Sequence, residues 1–291
     1  MLKSTGANYI ALLVTGYMDR ADSAEIYADP LRTPSDPSLL HAMQVARSYG
    51  LKIMLKPHVD SKDGVWRGSI SPSDIEAWFA SYKRFLVHYA VLAAKHEVEL
   101  FCVGTEFRSL SGSEFRAHWE EVIGAVRQVY PGPLVYAANW DEYSSVSFWD
   151  LLDYVGIDAY FPLSFAKTPR VSELVQAWGF WIATLENWRA RMRKPVIFTE
   201  IGYRSIDYAA KEPWSWVHTA SYNPEAQANC YEAVFQAFLG RPWFAGLFFW
   251  NWLANPHAGG VGDLDYTPQN KLAQDVLTKF FKEGTACYQV P

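Results

Sequence analysis

The feature that most constrains this chain is an alternation. Short, largely apolar runs, at 9–14, 51–58, 100–104, 134–138, 154–160, 196–199 and 245–250, are separated by segments whose apolar residues recur at helical spacing. Those segments fall at 37–49, 73–95, 113–130, 171–192, 224–239 and 270–281, with a short one near 148–152. A strand with one wet face would alternate polar and apolar residues. Strands apolar on both faces and separated by helices predict a parallel sheet covered by helices. The fold class expected is therefore α/β, a TIM-type (β/α) barrel with seven recognisable strands. A doubly wound open sheet is the competitor, but it would show a Gly-rich turn after its first strand. Here the first run continues into Thr15-Gly16-Tyr17-Met18, and the chain has no GxGxxG or Walker A string.

The 291 residues are near the size of one such barrel, about 250 residues plus insertions. No Pro- or Gly-rich linker divides them, so residues 1–291 are expected to form one catalytic domain. Half the residues are hydrophobic, enough for a large core. The net charge of −5 is spread without a basic stripe, which argues against nucleic acid or a membrane as partner. Cys102, Cys230 and Cys287 are too far apart for a zinc ribbon or a disulfide framework, so buried free thiols are expected. There is no run long enough for a membrane span and no signal peptide at Met1-Leu2-Lys3-Ser4-Thr5-Gly6, which predicts a soluble, cytoplasmic protein, or a secreted one if the N-terminus is truncated. The chain holds 13 Trp. Indole rings fill cores, and they also stack on flat sugar faces; both uses are open at this point.

In parallel barrels the chemistry sits at the C-terminal ends of the strands. Polar and aromatic residues cluster there: Lys56-Pro57-His58-Val59-Asp60, Thr105-Glu106, Asn139-Trp140-Asp141, Asp158-Ala159-Tyr160, Glu200-Ile201-Gly202-Tyr203-Arg204 and Trp250-Asn251-Trp252. Two ends carry a glutamate directly after an apolar run, Glu106 and Glu200. A carboxylate beside a buried strand is costly unless paired or used. The plain structural alternative is a salt bridge to a nearby Arg or Lys. Two glutamates facing one glycosidic bond instead suit its hydrolysis: one protonates the leaving oxygen, and the other attacks the anomeric carbon or activates water.

The strings GTEF (104–107), FTEIGYRS (198–205), LKPHVD (55–60), WRGSI (66–70), AANWD (137–141) and GIDAYFPL (156–163) resemble those of glycoside hydrolase family 113. The resemblance runs from about Gly6 past Trp252. It implies a retaining β-mannanase with Glu106 as general acid/base and Glu200 as nucleophile, acting on β-1,4-linked mannan or manno-oligosaccharides without metal or cofactor. It places Tyr160 against the nucleophile, and Trp250 as a platform for the sugar at the cleavage site. Lys56 and His58 are expected to bind hydroxyls of that sugar. Trp66, Arg67, Asn139, Trp140, Asp158, Tyr203 and Arg204 are expected to line the cleft. No HxH or HExxH pattern accompanies His58, so it is not read as a metal ligand. Thr105 stands where most of the clan has Asn, so another residue must hold the sugar 2-hydroxyl. Trp78, Trp119, Trp178, Trp181 and Trp188 lie in helices and are assigned to packing.

In the family the acid/base follows strand four, and Glu106 follows the third run here. The chain is thus expected to lack the family's first strand and helix. The gap would be handled by seven-strand closure, by the segment 285–290, or by a homodimer. Two other functions remain: an exo-acting β-mannosidase or β-glucosidase on the same site, and a non-catalytic carbohydrate-binding barrel.

Overall fold

The computed structural model describes residues 1–217 and 219–284. Among the described residues seven strands alternate with helices, in the TIM-type (β/α) architecture and with the strand number read from the sequence. The chain packs as two compact units, residues 8–158 and residues 1–7 with those from 159 onward. Within each unit the paired strands run parallel. The segment 285–290, expected as one way to fill the gap, lies outside the described residues, as does Cys287.

In the first unit, strands β1 (Tyr9–Met18), β2 (Lys52–Ser61), β3 (Leu100–Thr105), β4 (Leu134–Asn139) and β5 (Tyr154–Asp158) pair in chain order. Helices α1 (Asp36–Ser48), α2 (Ile75–Lys95) and α3 (Arg116–Val129) fall between the first four strands. Local chemistry sets their starts. Ser35 and Asp74 cap α1 and α2 by accepting the backbone N–H groups of Ser38 and Ala77, and Pro37 sits in the first turn of α1. Gly50 takes the left-handed φ of 66° that ends α1.

The core of this unit is aromatic. Trp78 stacks on Tyr82 with centroids 5.1 Å apart, and Trp119 on Phe148 at 4.4 Å. Phe107 meets Trp78 and Tyr82 edge-on. Trp78, Trp119 and Trp149 are fully buried here, as is Trp178 in the other unit, so much of the indole content is core.

β1 and β2 are longer than their apolar runs. The ladder continues through Thr15↔His58 and Tyr17↔Asp60 to Met18↔Ser61. Hydrophobicity marks where side chains are buried on both faces, whereas the ladder is made by the backbone and tolerates polar side chains. Asp60, beyond the run read from the sequence, is therefore held on the same strand as His58.

In the second unit β6 (Val196–Ile201) pairs with β7 (Phe244–Phe249), beside α4 (Val171–Arg189), α5 (Pro224–Phe238) and α6 (Leu272–Gly284). Trp178, Phe198 and Phe238 pack together, and Tyr231 stacks on Phe249 at 4.1 Å. Trp181 and Trp188 are half-buried on α4. Cys102 and Cys230 are buried free thiols, both pushed up by burial. Among the described residues no helix is long and apolar enough to cross a membrane.

Candidate active site

Glu106 follows β3, whose six residues are all buried. Gly104 is required there, because a Cβ would lie 2.9 Å from the Tyr136 ring and 3.0 Å from Trp119. Glu106 itself has a left-handed φ of 55°. A non-glycine residue held there costs on the order of 1–3 kcal/mol, so its surroundings must enforce it. Its N–H donates to the Ala137 carbonyl at 2.8 Å, and the next N–H, from Phe107, donates to Tyr136 Oη at 2.8 Å. The Glu106 side chain is nearly buried. Trp66 Nε1–H donates to its Oε2 at 3.3 Å, and the Arg67 guanidinium lies 3.6 Å from the same oxygen. Arg67 also donates to Asp60 Oδ1 through Nε at 3.0 Å and Nη2 at 2.7 Å. One cation thus serves two carboxylates, and the salt bridge expected of a purely structural glutamate is present alongside the exposed indole of Trp66.

Lys56 on β2 donates to both oxygens of Asp158 at the end of β5, at 3.1 and 3.3 Å. Both side chains are fully buried. Removing one partner would leave a buried charge, a loss of about 3–5 kcal/mol. His58 is also buried, and burial first, then the Arg67 and Lys56 cations, hold its imidazole well below the usual 6.5. It is neutral at physiological pH, with one nitrogen donating and one accepting. Asn139 ends β4 half-buried, and its Oδ1 accepts the Trp140 N–H at 2.8 Å. Among the described residues no group of three or more His, Cys, Asp or Glu side chains could hold a metal ion.

In the other unit Glu200 lies inside β6, one residue before its end. Its carbonyl accepts the Ala159 N–H at 2.7 Å, and its Oε2 accepts a hydrogen bond from Tyr160 Oη at 2.8 Å. The Tyr160 ring meets Tyr266 edge-on at 6.3 Å. Gly202 allows the backbone after β7 to approach, since a Cβ would sit 2.6 Å from the Trp250 carbonyl. The Trp250 N–H donates to Ile201 O at 2.8 Å, and the Trp250–Asn251 peptide is cis.

Residues 1–271 match the model of Glycoside Hydrolase Family 113. The chain belongs to glycoside hydrolase family 113. Among solved structures, the family 113 β-mannanase AaManA from Alicyclobacillus acidocaldarius, in complex with ManMIm, is 31% identical, with a TM-score of 0.86 over 97% of this chain and 89% of that one. A second family 113 β-1,4-mannanase is 27% identical, with a TM-score of 0.87 over 97% of this chain and 90% of the other. A β-glucuronidase from Ruminococcus gnavus, at 15% identity and a TM-score of 0.65 over 44% of its own chain, shares the fold alone. No curated protein matches.

Within this family 113 glycoside hydrolase, the first unit gathers Lys56, His58, Trp66, Arg67, Glu106 and Asp158 into one connected polar group. Asn139 and Trp140 sit one strand over from Glu106. The second unit gathers Glu200 and Tyr160 directly. Tyr203 does not join them. It is fully buried, its ring against Tyr231 of α5, and offers a sugar no surface. Arg204 lines a cavity of about 250 Å³ with Phe165, Asp207, Tyr208 and Glu212. Sequence reasoning missed Asp60 as the partner of Arg67, and Tyr136 and Glu142 behind Glu106. Asp60 stands in one of the family strings, but nothing in the string AANWDE marks Glu142 as buried.

Proposed function

We propose that this enzyme is a retaining endo-β-1,4-mannanase working by double displacement, with Glu106 as general acid/base and Glu200 as nucleophile. The observation that carries the reading is family membership over 1–271 with solved β-mannanases at 27–31% identity. The local geometry supports the division of roles. Glu200 accepts a hydrogen bond from a tyrosine hydroxyl, which orients its carboxylate for attack on the anomeric carbon. Glu106 is oriented by Trp66 and Arg67 through Oε2, and its carboxyl carries the proton to the departing oxygen. In the second step Glu106 takes a proton from water as that water attacks the glycosyl–enzyme ester, and Glu200 leaves as carboxylate. Asn139 supplies a donor and an acceptor for a sugar hydroxyl, the buried Lys56–Asp158 pair and His58 support the site from behind, and Trp250 supplies a flat apolar face.

The test is hydrolysis of mannohexaose followed by proton NMR and product analysis. The expected result is a mixture of shorter oligomers whose new reducing ends are first formed as the β-anomer. Retention requires carboxyl groups about 5–5.5 Å apart and inversion about 6.5–9.5 Å, so a first-formed α-anomer would overturn the mechanism. Release of mannose alone would replace endo with exo action.

A further inference from the structure

The supports of the strained Glu106 turn end on a carboxyl that the proposed reaction does not use. Phe107 N–H can only donate, so Tyr136 Oη is the acceptor in their 2.8 Å contact. The Tyr136 hydroxyl proton must go elsewhere, and Glu142 Oε1 stands 2.8 Å away to receive it. The other oxygen of Glu142 accepts the Asn139 N–H at 3.1 Å, while the Glu142 N–H donates back to the Asn139 carbonyl at 2.9 Å. One buried carboxyl therefore ties the chain after β3, which presents Glu106, to the last residue of β4, Asn139.

Tyr136 cannot swing away from this task. Its ring lies against Gly104 and is enclosed edge-on by Trp119, Phe148 and Trp149. Its hydroxyl stays neutral, since burial and then Glu142 hold it well above the usual 10. Nor is Glu142 a favourable way merely to stabilise a fold. It is almost fully buried, and burial lifts its carboxyl to about 7 against the opposing donors from Ser111, Asn139 and Tyr136. An apolar side chain of similar size would avoid that desolvation.

We infer that Glu142 is a positioning residue for Glu106, acting through the Tyr136 hydroxyl to fix the left-handed turn that aims the acid/base. The inference rests on the reading of Glu106 as acid/base. It separates from a purely structural role by substrate. A misaimed acid harms departure of a sugar, which needs protonation, and spares departure of dinitrophenolate, which does not.

The test compares Glu142→Leu, Glu142→Gln, Tyr136→Phe and Glu106→Ala on mannohexaose and on 2,4-dinitrophenyl β-mannoside. For Glu142→Leu and Tyr136→Phe the expected result is a kcat on mannohexaose lower by about tenfold to a hundredfold with KM nearly unchanged. Their kcat/KM on the aryl mannoside should stay within about threefold of wild type, because that ratio reports the first step alone. Glu142→Gln, which still offers Tyr136 a carbonyl oxygen, should retain more activity than Glu142→Leu. Combining Glu142→Leu with Tyr136→Phe should lose no more than the worse single variant, as expected for two members of one relay. Tyr136→Phe keeps the ring packing, so the inference stays testable even if Glu142→Leu does not fold. Equal losses on both substrates, or none on either, overturn the inference. If Glu106→Ala shows the substrate contrast and the relay variants do not, the inference alone fails. If Glu106→Ala shows no contrast, the acid/base reading fails and takes the inference with it.

Discussion

Glu106 and Glu200 both stand at the end of a buried parallel strand, yet the protein holds them in different ways. Glu200 is part of β6: its backbone is extended and its carbonyl takes the Ala159 N–H. Its direction follows from strand geometry, and Tyr160 trims the carboxyl orientation. Glu106 lies one residue past β3 in a left-handed conformation that extended pairing cannot supply. It needs Ala137, Tyr136 and, through Tyr136, Glu142 to hold its backbone, and Trp66 and Arg67 to hold its side chain. A nucleophile approaches one atom along one line. An acid/base must serve two proton transfers, to a departing sugar and from an arriving water. The turn at Glu106 is placed by several replaceable contacts, so more variants should disturb it than disturb Glu200.

The comparison breaks first at the glutamates themselves. Glu200→Ala should lower turnover roughly ten-thousandfold or more on every substrate, since no glycosyl–enzyme can form. Steady-state assays on both mannohexaose and aryl mannosides read this, and retained activity on either would remove Glu200 from its role. Glu106→Ala comes next, with a loss of about a hundredfold to ten-thousandfold on mannohexaose. Its first step on dinitrophenyl β-mannoside should survive, and azide should restore turnover by forming the glycosyl azide without a general base. No azide effect would count against the assignment.

Tyr160→Phe sharpens the contrast at Glu200, the proposed nucleophile. A hydrogen bond to a charged group contributes about 1.5–3 kcal/mol, so kcat should drop by roughly tenfold to a hundredfold with little change in KM. A drop smaller than about threefold would mean that β6 alone aims Glu200 well enough.

The smallest effects are on stability against pH, and they set two groups near Glu106 against each other. His58 titrates in the unfolded chain near 6.5 and lower in the folded one. Below about pH 6.5 the unfolded state binds a proton that the folded state refuses, so this stability is present above that pH and lost as pH falls. Glu142 has the opposite sign. Its folded carboxyl holds a proton to about 7, against 4.5 in the unfolded chain, so its contribution is present below 4.5 and lost as pH rises to about 7. Each slope is at most about 1.4 kcal/mol per pH unit. Urea midpoints measured between pH 5 and 8 should show His58→Gln losing less stability on acidification and Glu142→Gln losing less on the rise to neutrality. Unchanged slopes would refute these shifts.

Much of the fold was legible because backbone ladders and helix faces leave periodic traces. The seven apolar runs became β1 to β7, and the helical segments matched to within a few residues at their ends. Errors arose where side-chain chemistry and backbone pairing part company, as in β1 and β2, which continue as strand through polar residues. Candidate site residues were legible where a polar group interrupts an apolar run, as at Glu106, Glu200 and Lys56. Tyr203 shows the limit. Its place next to the FTEIG string suggested a cleft, but its ring packs against Tyr231 of α5, a contact between segments far apart in the chain.

By itself, then, the order of residues determined the element sequence, the parallel sheet with covering helices, the family, and the identity of the two glutamates most worth testing. These depend on local periodicity and on short strings, which survive without knowing any distance. Tertiary structure alone decided which groups meet: Lys56 with Asp158, Arg67 with both Asp60 and Glu106, Tyr160 with Glu200, and Tyr136 with Glu142 behind the Glu106 turn. The physical reason is that a hydrogen bond or ion pair forms over about 3 Å between residues that can lie far apart in the chain, and no periodicity within either segment records the partner. The same holds for the left-handed φ of Glu106, which its residue type disfavours and only its neighbours impose.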